Sequence, residues 1–162
     1  VASLDQDTVV YIVGGSEHDV IRLRQTLPEA SDRRIHFVNF RPHKEMLQWL
    51  KAADVLVLPN TGKQKVSLYY TSPMKLFEYM ASGIPIVASN IPSISEILNA
   101  DNAVLVAPDD PDALANGITS VLSDETRAQK IAAKASKDVD NYSWDVRAKK
   151  IIDHIHETIQ HN

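Results

Sequence analysis

The chain has 162 residues, 44% hydrophobic and 23% charged, the balance of an ordinary globular protein with length enough for one domain and a real core. A formal net charge of -4 gives no bulk electrostatic support to a nucleic-acid or anionic-membrane partner, although local basic sites are compatible with it. Cysteine is absent, which excludes disulfides and thiolate metal sites and agrees with a reducing compartment; apolar runs such as "VLVL" are far too short to span a bilayer.

In chain order, five short runs read as buried strands: Thr8 to Val13, Ile35 to Phe40, Asp54 to Pro59, Pro85 to Ser89 and Ala103 to Ala107. They are rich in Val, Ile and Leu at consecutive positions, as in parallel strands covered on both faces. Helical stretches separate them. "SEHDVIRLRQTL" follows the first strand and "PHKEMLQWLKAA" the second, the latter with a stripe of Met46, Leu47, Trp49 and Leu50. "SPMKLFEYMAS" precedes the fourth strand, "PSISEIL" follows it, and "DPDALANGITSVLSD" follows the fifth. Two more helices, Asp124 to Val139 and Ser143 to Ile159, close the chain. The alternation predicts a Rossmann-like, three-layer α/β/α domain with a mostly parallel sheet of about five strands and C-terminal helices. Ligands of such sheets bind at the carboxyl ends of the strands. No internal repeat or low-complexity linker interrupts the pattern, so residues 1–162 read as one domain.

The longest break, Asn60 to Ser72, leads into the third helix. There Ser72 suits an N-cap and Pro73 the first helical position, and the wheel puts Leu76, Phe77, Met80 and Ala81 toward the core. Lys75 then stands near the positive end of the helix dipole, a less favourable place for a cation. An exposed Lys75–Glu78 ion pair is the plain reading. The sharper one is an anion site: free helix amides behind "TSPM" together with Lys75 would hold a phosphate, and Glu78 would accept hydrogen bonds from neighbouring hydroxyls. Phosphates beside a diol describe a nucleotide.

These residues carry a resemblance. "SPMKLFEYMASGIPIVASNIPSISEIL" with "AVLVAPDDPDALANGI", preceded by "ADVLVLPN" and "IVGGS", resembles the C-terminal, donor-binding half of a GT-B glycosyltransferase of the family 4 or group 1 type, over nearly the whole chain. The resemblance implies transfer of a sugar from a nucleotide-diphosphate sugar to a glycan or lipid-linked acceptor, with retained anomeric configuration and no metal or other cofactor, in the synthesis of glycans or glycoconjugates in the cytoplasm. It also implies two parts preceding Val1: an N-terminal acceptor domain, and a first strand whose Arg and Lys grip the diphosphate. Any membrane association would come through that missing part, and the chain alone is expected to be inactive. Glu78 matches the second glutamate of the family's Glu, seven residues, Glu motif, and so takes the ribose hydroxyls. The first glutamate falls at Tyr70, and the usual glycine-rich turn is replaced by Thr71, Ser72, Pro73 and Met74. These four and Lys75 take the diphosphate and sugar by position. Arg41 and Pro42 follow the second strand, where members of the family hold the base; Arg41 stands where a glycine is common. Another GT-B enzyme, such as a nucleotide-sugar epimerase, and a non-catalytic nucleotide or protein interaction module are the alternatives.

The remaining candidates read as structural. Gly14 and Gly15 make a tight turn without a complete G-x-G-x-x-G fingerprint. Ser93 with Glu96 has the spacing of a capping box, and Asp110 with Pro111 that of a cap and first turn. Tyr142 and Trp144 are expected to anchor the last helix. His154, His156 and His161 lack standard metal spacing, and Lys149 with Lys150 is too little charge for a membrane patch.

Overall fold

Strand β4 (Ile86–Ser89) is buried along its whole length, and its side chains alternate between two apolar layers. Ile86 and Ala88 join one core with Leu58, Leu76, Met80, Ile91, Ile94 and Leu98. Val87 joins the other with Ala115, Ile118, Val121, Ala128 and Ile131. The continuous apolar run is therefore what a parallel strand needs when both faces are covered.

The computed structural model describes residues 3–26, 34–71 and 74–160. Along them run β1 (Val10–Val13), α1 (Glu17–Gln25), β2 (Ile35–Val38), α2 (His43–Lys51) and β3 (Leu56–Leu58). A π-helical turn (Val66–Tyr70), α3 (Met74–Ser82), β4 and α4 (Pro92–Ser95) follow. β5 (Val104–Val106), α5 (Pro111–Leu122), α6 (Glu125–Asp138), a 3-10 turn (Val139–Tyr142) and α7 (Trp144–Gln160) complete the chain. All five expected strands are present and every pairing is parallel. The hydrogen-bonded ladders nevertheless form two sets, β1–β2 and β3–β4–β5, rather than one sheet. Val10 of β1 packs against the same buried cluster as Val55, Val57 and Val104, so the two sets share an apolar layer.

Local chemistry explains most boundaries. Ser16 accepts from the Asp19 amide at 3.2 Å while the Asp19 carboxylate accepts from the Ser16 amide at 3.2 Å, a reciprocal cap that starts α1. Gly14 and Gly15 turn the chain from β1 to that cap with φ of 120° and 84°, which only glycine takes without strain. Asp110 caps α5 through the amides of Asp112 and Ala113, with Pro111 at the first position as expected. No helix among the described residues is long and apolar enough to cross a membrane.

Several expectations are corrected. Ser93 does not box with Glu96: α4 has no side-chain cap, and the buried Ser93 hydroxyl donates to the Ser67 carbonyl at 2.6 Å. The break after β3 is partly helical, because Val66–Tyr70 winds into the π turn closed by the Thr71 hydroxyl on the Val66 carbonyl at 2.8 Å. On α3, Ala81 is exposed and Ser82 is buried, its hydroxyl returned to the Tyr79 carbonyl at 2.7 Å. Tyr142 packs its ring 5.4 Å from Phe77, whereas Trp144 is 79% exposed and its ring meets the Arg147 guanidinium of its own helix, 5.8 Å from the ring centre.

Candidate functional site

The carboxyl end of β3 and the first turns of α3 enclose a cavity of about 440 Å3. Val57, Leu58, Pro59 and Asn60 line it from the strand side, and Met74, Lys75 and Tyr79 from the helix. The sequence sets this geometry simply. β3 ends in the Pro59–Asn60 break, and α3 buries Leu76 and Met80 against the sheet. That packing leaves Met74, Lys75 and Tyr79, on the flank of the same helix, facing the strand's end. Lys75 is solvent-exposed yet supplies the lining's one charge, so the cavity presents a cation and no carboxylate. Burial, aided by the nearby Glu78 carboxylate, pushes the Tyr79 phenol above its ordinary value. Tyr79 therefore keeps its proton at neutral pH and can donate into the cavity.

Glu78 lies one turn beyond Lys75 and does not pair with it. Its carboxylate Oε1 is 3.7 Å from Nδ1 of His43, the first residue of α2. Pro42 precedes His43 as the N-cap of α2, so the residues expected at a base and at a ribose converge where α2 meets α3. Arg41 lines a different, 380 Å3 cavity with Glu17, Arg24 and Asn39 at the carboxyl end of β2. The structure thus places Met74 and Lys75 in one cavity and sets Glu78 against His43, the neighbour of Pro42, while Arg41 faces α1. Thr71 spends its hydroxyl on the Val66 carbonyl. Ser72 and Pro73 lie outside the described residues. No cluster of His, Asp or Glu among the described residues is arranged to hold a metal.

Two contributors escaped the sequence reading. Tyr79 lines the cavity one turn after Lys75, and that spacing was a usable signal. His43 carries no local signal, because its partner Glu78 is 35 positions away, beyond any spacing rule.

Known proteins match this chain at both levels. The family model for glycosyl transferases group 1 matches residues 1–124. An uncharacterized glycosyltransferase of Methanocaldococcus jannaschii is 34% identical over 121 residues, covering 74% of this chain and 29% of that protein. A phosphatidyl-myo-inositol mannosyltransferase of Mycolicibacterium smegmatis is 28% identical over 156 residues, covering 94% of this chain and 37% of its own length. The chain spans about a third of the length of these curated relatives. Among solved structures, Anabaena HepE in complex with UDP superposes with a TM-score of 0.77 at 24% identity, over 99% of this chain and 43% of that one. Sucrose-phosphate synthase from Thermosynechococcus elongatus does so with a TM-score of 0.76 at 24% identity, over 94% and 39%. At that identity the structural likeness is one of fold, the Rossmann-like half of such enzymes.

Proposed function

Since the chain belongs to the glycosyl transferases group 1 family, we propose that it forms the donor-binding part of a retaining, metal-independent glycosyltransferase that uses a nucleotide-diphosphate sugar. The observation that carries this reading is the cavity at the carboxyl end of β3, whose lining holds one charge, the Lys75 ammonium. Ligands of open α/β sheets lie at that edge. A volume of about 440 Å3 is within the range of small-molecule sites. A diphosphate there offsets the repulsion between Lys75 and the helix dipole, and the ammonium neutralises charge that grows on the leaving group. UDP bound to a protein of the same fold agrees with this ligand class.

In this reading Lys75, with Met74 and the chain from Thr71 through Ser72 and Pro73, takes the diphosphate and sugar. Glu78 takes the ribose hydroxyls in exchange for its long contact with His43, and Pro42, beside His43, flanks the base, while Arg41 lines the separate cavity against α1. The glycosidic C–O bond to the diphosphate breaks with its electron pair leaving on the nucleotide, an acceptor hydroxyl oxygen bonds to the same face of the sugar, and its proton passes to the departing diphosphate. In this reading an acceptor-binding domain and a further strand bearing diphosphate-gripping Arg and Lys complete the enzyme, since the chain spans about a third of the length of its curated relatives. A non-catalytic nucleotide-binding module is the second reading, favoured by the highly exposed Tyr70 where a sugar-contacting glutamate would stand.

Calorimetric titration with UDP tests the site. Lys75→Ala is expected to weaken UDP by about tenfold, the loss of one charge-assisted contact, and Glu78→Ala by less. A flat titration of the unaltered chain at millimolar UDP removes the reading.

A further inference from the structure

The turn between β5 and α5 holds Asp109 with φ of 57°, and among the described residues it is the non-glycine residue in the left-handed region. That conformation aims its carboxylate across the strand edge at the loop after β3. Thr61 Oγ1 donates to one carboxylate oxygen at 2.7 Å, and the Gly62 amide donates to the other at 2.8 Å. Thr61 Oγ1 in turn accepts from the Lys63 amide at 3.2 Å. Gly62 is pressed against Pro108, where an added Cβ would stand 3.2 Å from Cγ of the proline. One carboxylate therefore shapes three consecutive residues nearly fifty positions away. Asp110, its neighbour, is committed elsewhere, to the cap of α5. The loop so held begins with Pro59 and Asn60, which wall the cavity of Lys75.

We propose that Asp109 is a positioning residue for that cavity: its carboxylate tethers Thr61 and Gly62, and thereby fixes the Pro59–Asn60 wall against which a diphosphate ligand packs. The assignment rests on the cavity being the anion site. Two physical features support it. The left-handed conformation of Asp109, uncommon outside glycine, is held by hydrogen bonds to a second loop rather than to its own turn. The two hydrogen bonds, chiefly the one from Thr61, hold the Asp109 carboxyl below its ordinary value, and the Lys63 ammonium on the loop acts the same way. Asp110 and Asp112, at the start of α5, are the other charged groups at this turn. Because the folded value is lowered, the tether is complete above the ordinary aspartate value of about 4 and is lost as pH falls through the folded value.

Nuclear magnetic resonance of the 15N-labelled chain, with UDP as the probe ligand, tests the proposal. In the unaltered chain the Gly62 amide shift is expected to titrate in one step below pH about 4. Asp109→Asn and Asp109→Gly should abolish that step and speed Gly62 amide exchange severalfold. Asp109→Gly also relieves the positive φ, so the β4 amides should keep their dispersion and report an intact fold. UDP affinity should fall severalfold in Asp109→Gly, with Asp109→Asn between the two. A Gly62 amide indifferent to both pH and substitution overturns the tether. Unchanged UDP affinity in variants whose Gly62 amide has responded overturns the positioning role. An unaltered chain that takes up no UDP overturns the cavity reading and the positioning role with it, while the Gly62 amide still decides the tether separately.

Discussion

Asn102 is almost wholly buried and has each end of its amide occupied. Its oxygen accepts from the Asn99 amide at 2.7 Å, and its nitrogen donates to the Asp138 carboxylate at 3.0 Å. Asp138, at the end of α6, also holds the Lys134 ammonium one turn back; that bond first, and the Asn102 bond second, keep its carboxyl below the usual range. One side chain thus ties the turn before β5 to the C-terminal layer. Asn102→Ala is expected to cost about 1–3 kcal/mol, as a buried hydrogen-bonding group is lost and its partners are left unmet. Urea unfolding reads the loss as a lower midpoint at unchanged slope. Nothing in "NADNAV" announces this, because the partner lies 36 positions away. The same distance problem hid His43 from Glu78 and Asp109 from Gly62. The positions of Lys75 and Glu78 on α3 were legible because that reading was local: a cation where a helix begins, and a carboxylate one turn on.

At the scale of elements, α5 rides closest to the sheet at Gly117. A Cβ there would meet Val106 Cγ1 at 2.6 Å and Val87 Cγ1 at 3.0 Å, below any ordinary contact distance. Gly117 costs helix propensity but lets the helix settle onto β4 and β5. Gly117→Val is therefore expected to destabilise by about 1–3 kcal/mol through overpacking, seen as a lowered midpoint of thermal unfolding. Leu122→Ala, on the exposed end of the same helix, serves as the control with a much smaller effect. Caps and apolar stripes made the helices readable, since they depend on neighbours within four positions. The buried face of α3 was misjudged by one position at its end: Ser82 bonds back to its own helix and so goes under without an unmet hydroxyl. The π turn at Val66–Tyr70 was invisible for a similar reason. Its closing bond from Thr71 and the Ser93 hydroxyl on Ser67 are tertiary facts.

Across the whole molecule, burial is uneven. β4 is buried throughout, whereas Tyr11 and Ile12 of β1 are 57% and 42% exposed and α7 leaves Ile151, Ile152 and Ile155 in solvent. The β1–β2 pair has a full parallel ladder but little apolar cover, and among the described residues no ladder bonds it to β3. Local opening follows the density of buried contacts. Native-state hydrogen exchange should accordingly find the amides of β4 and β5 exchanging only by global unfolding. Those of β1 and β2 should exchange through a smaller opening with a lower denaturant dependence. Equal protection and equal slopes in both sets would contradict a molecule held chiefly by its second half.

What could be known from the residues alone was the order of strands and helices, the parallel pairing, the caps of α5 and the place of a cation before the fourth strand. These follow from periods of two and 3.6 residues and from backbone groups met by near neighbours. Folding in space added the separation of the two ladders, the pairing of Glu78 with His43, the turning of Arg41 toward α1 and the reach of Asp109 to Gly62. Each of these depends on the distance between atoms whose sequence separation exceeds any local period, so it arises only when the layers pack.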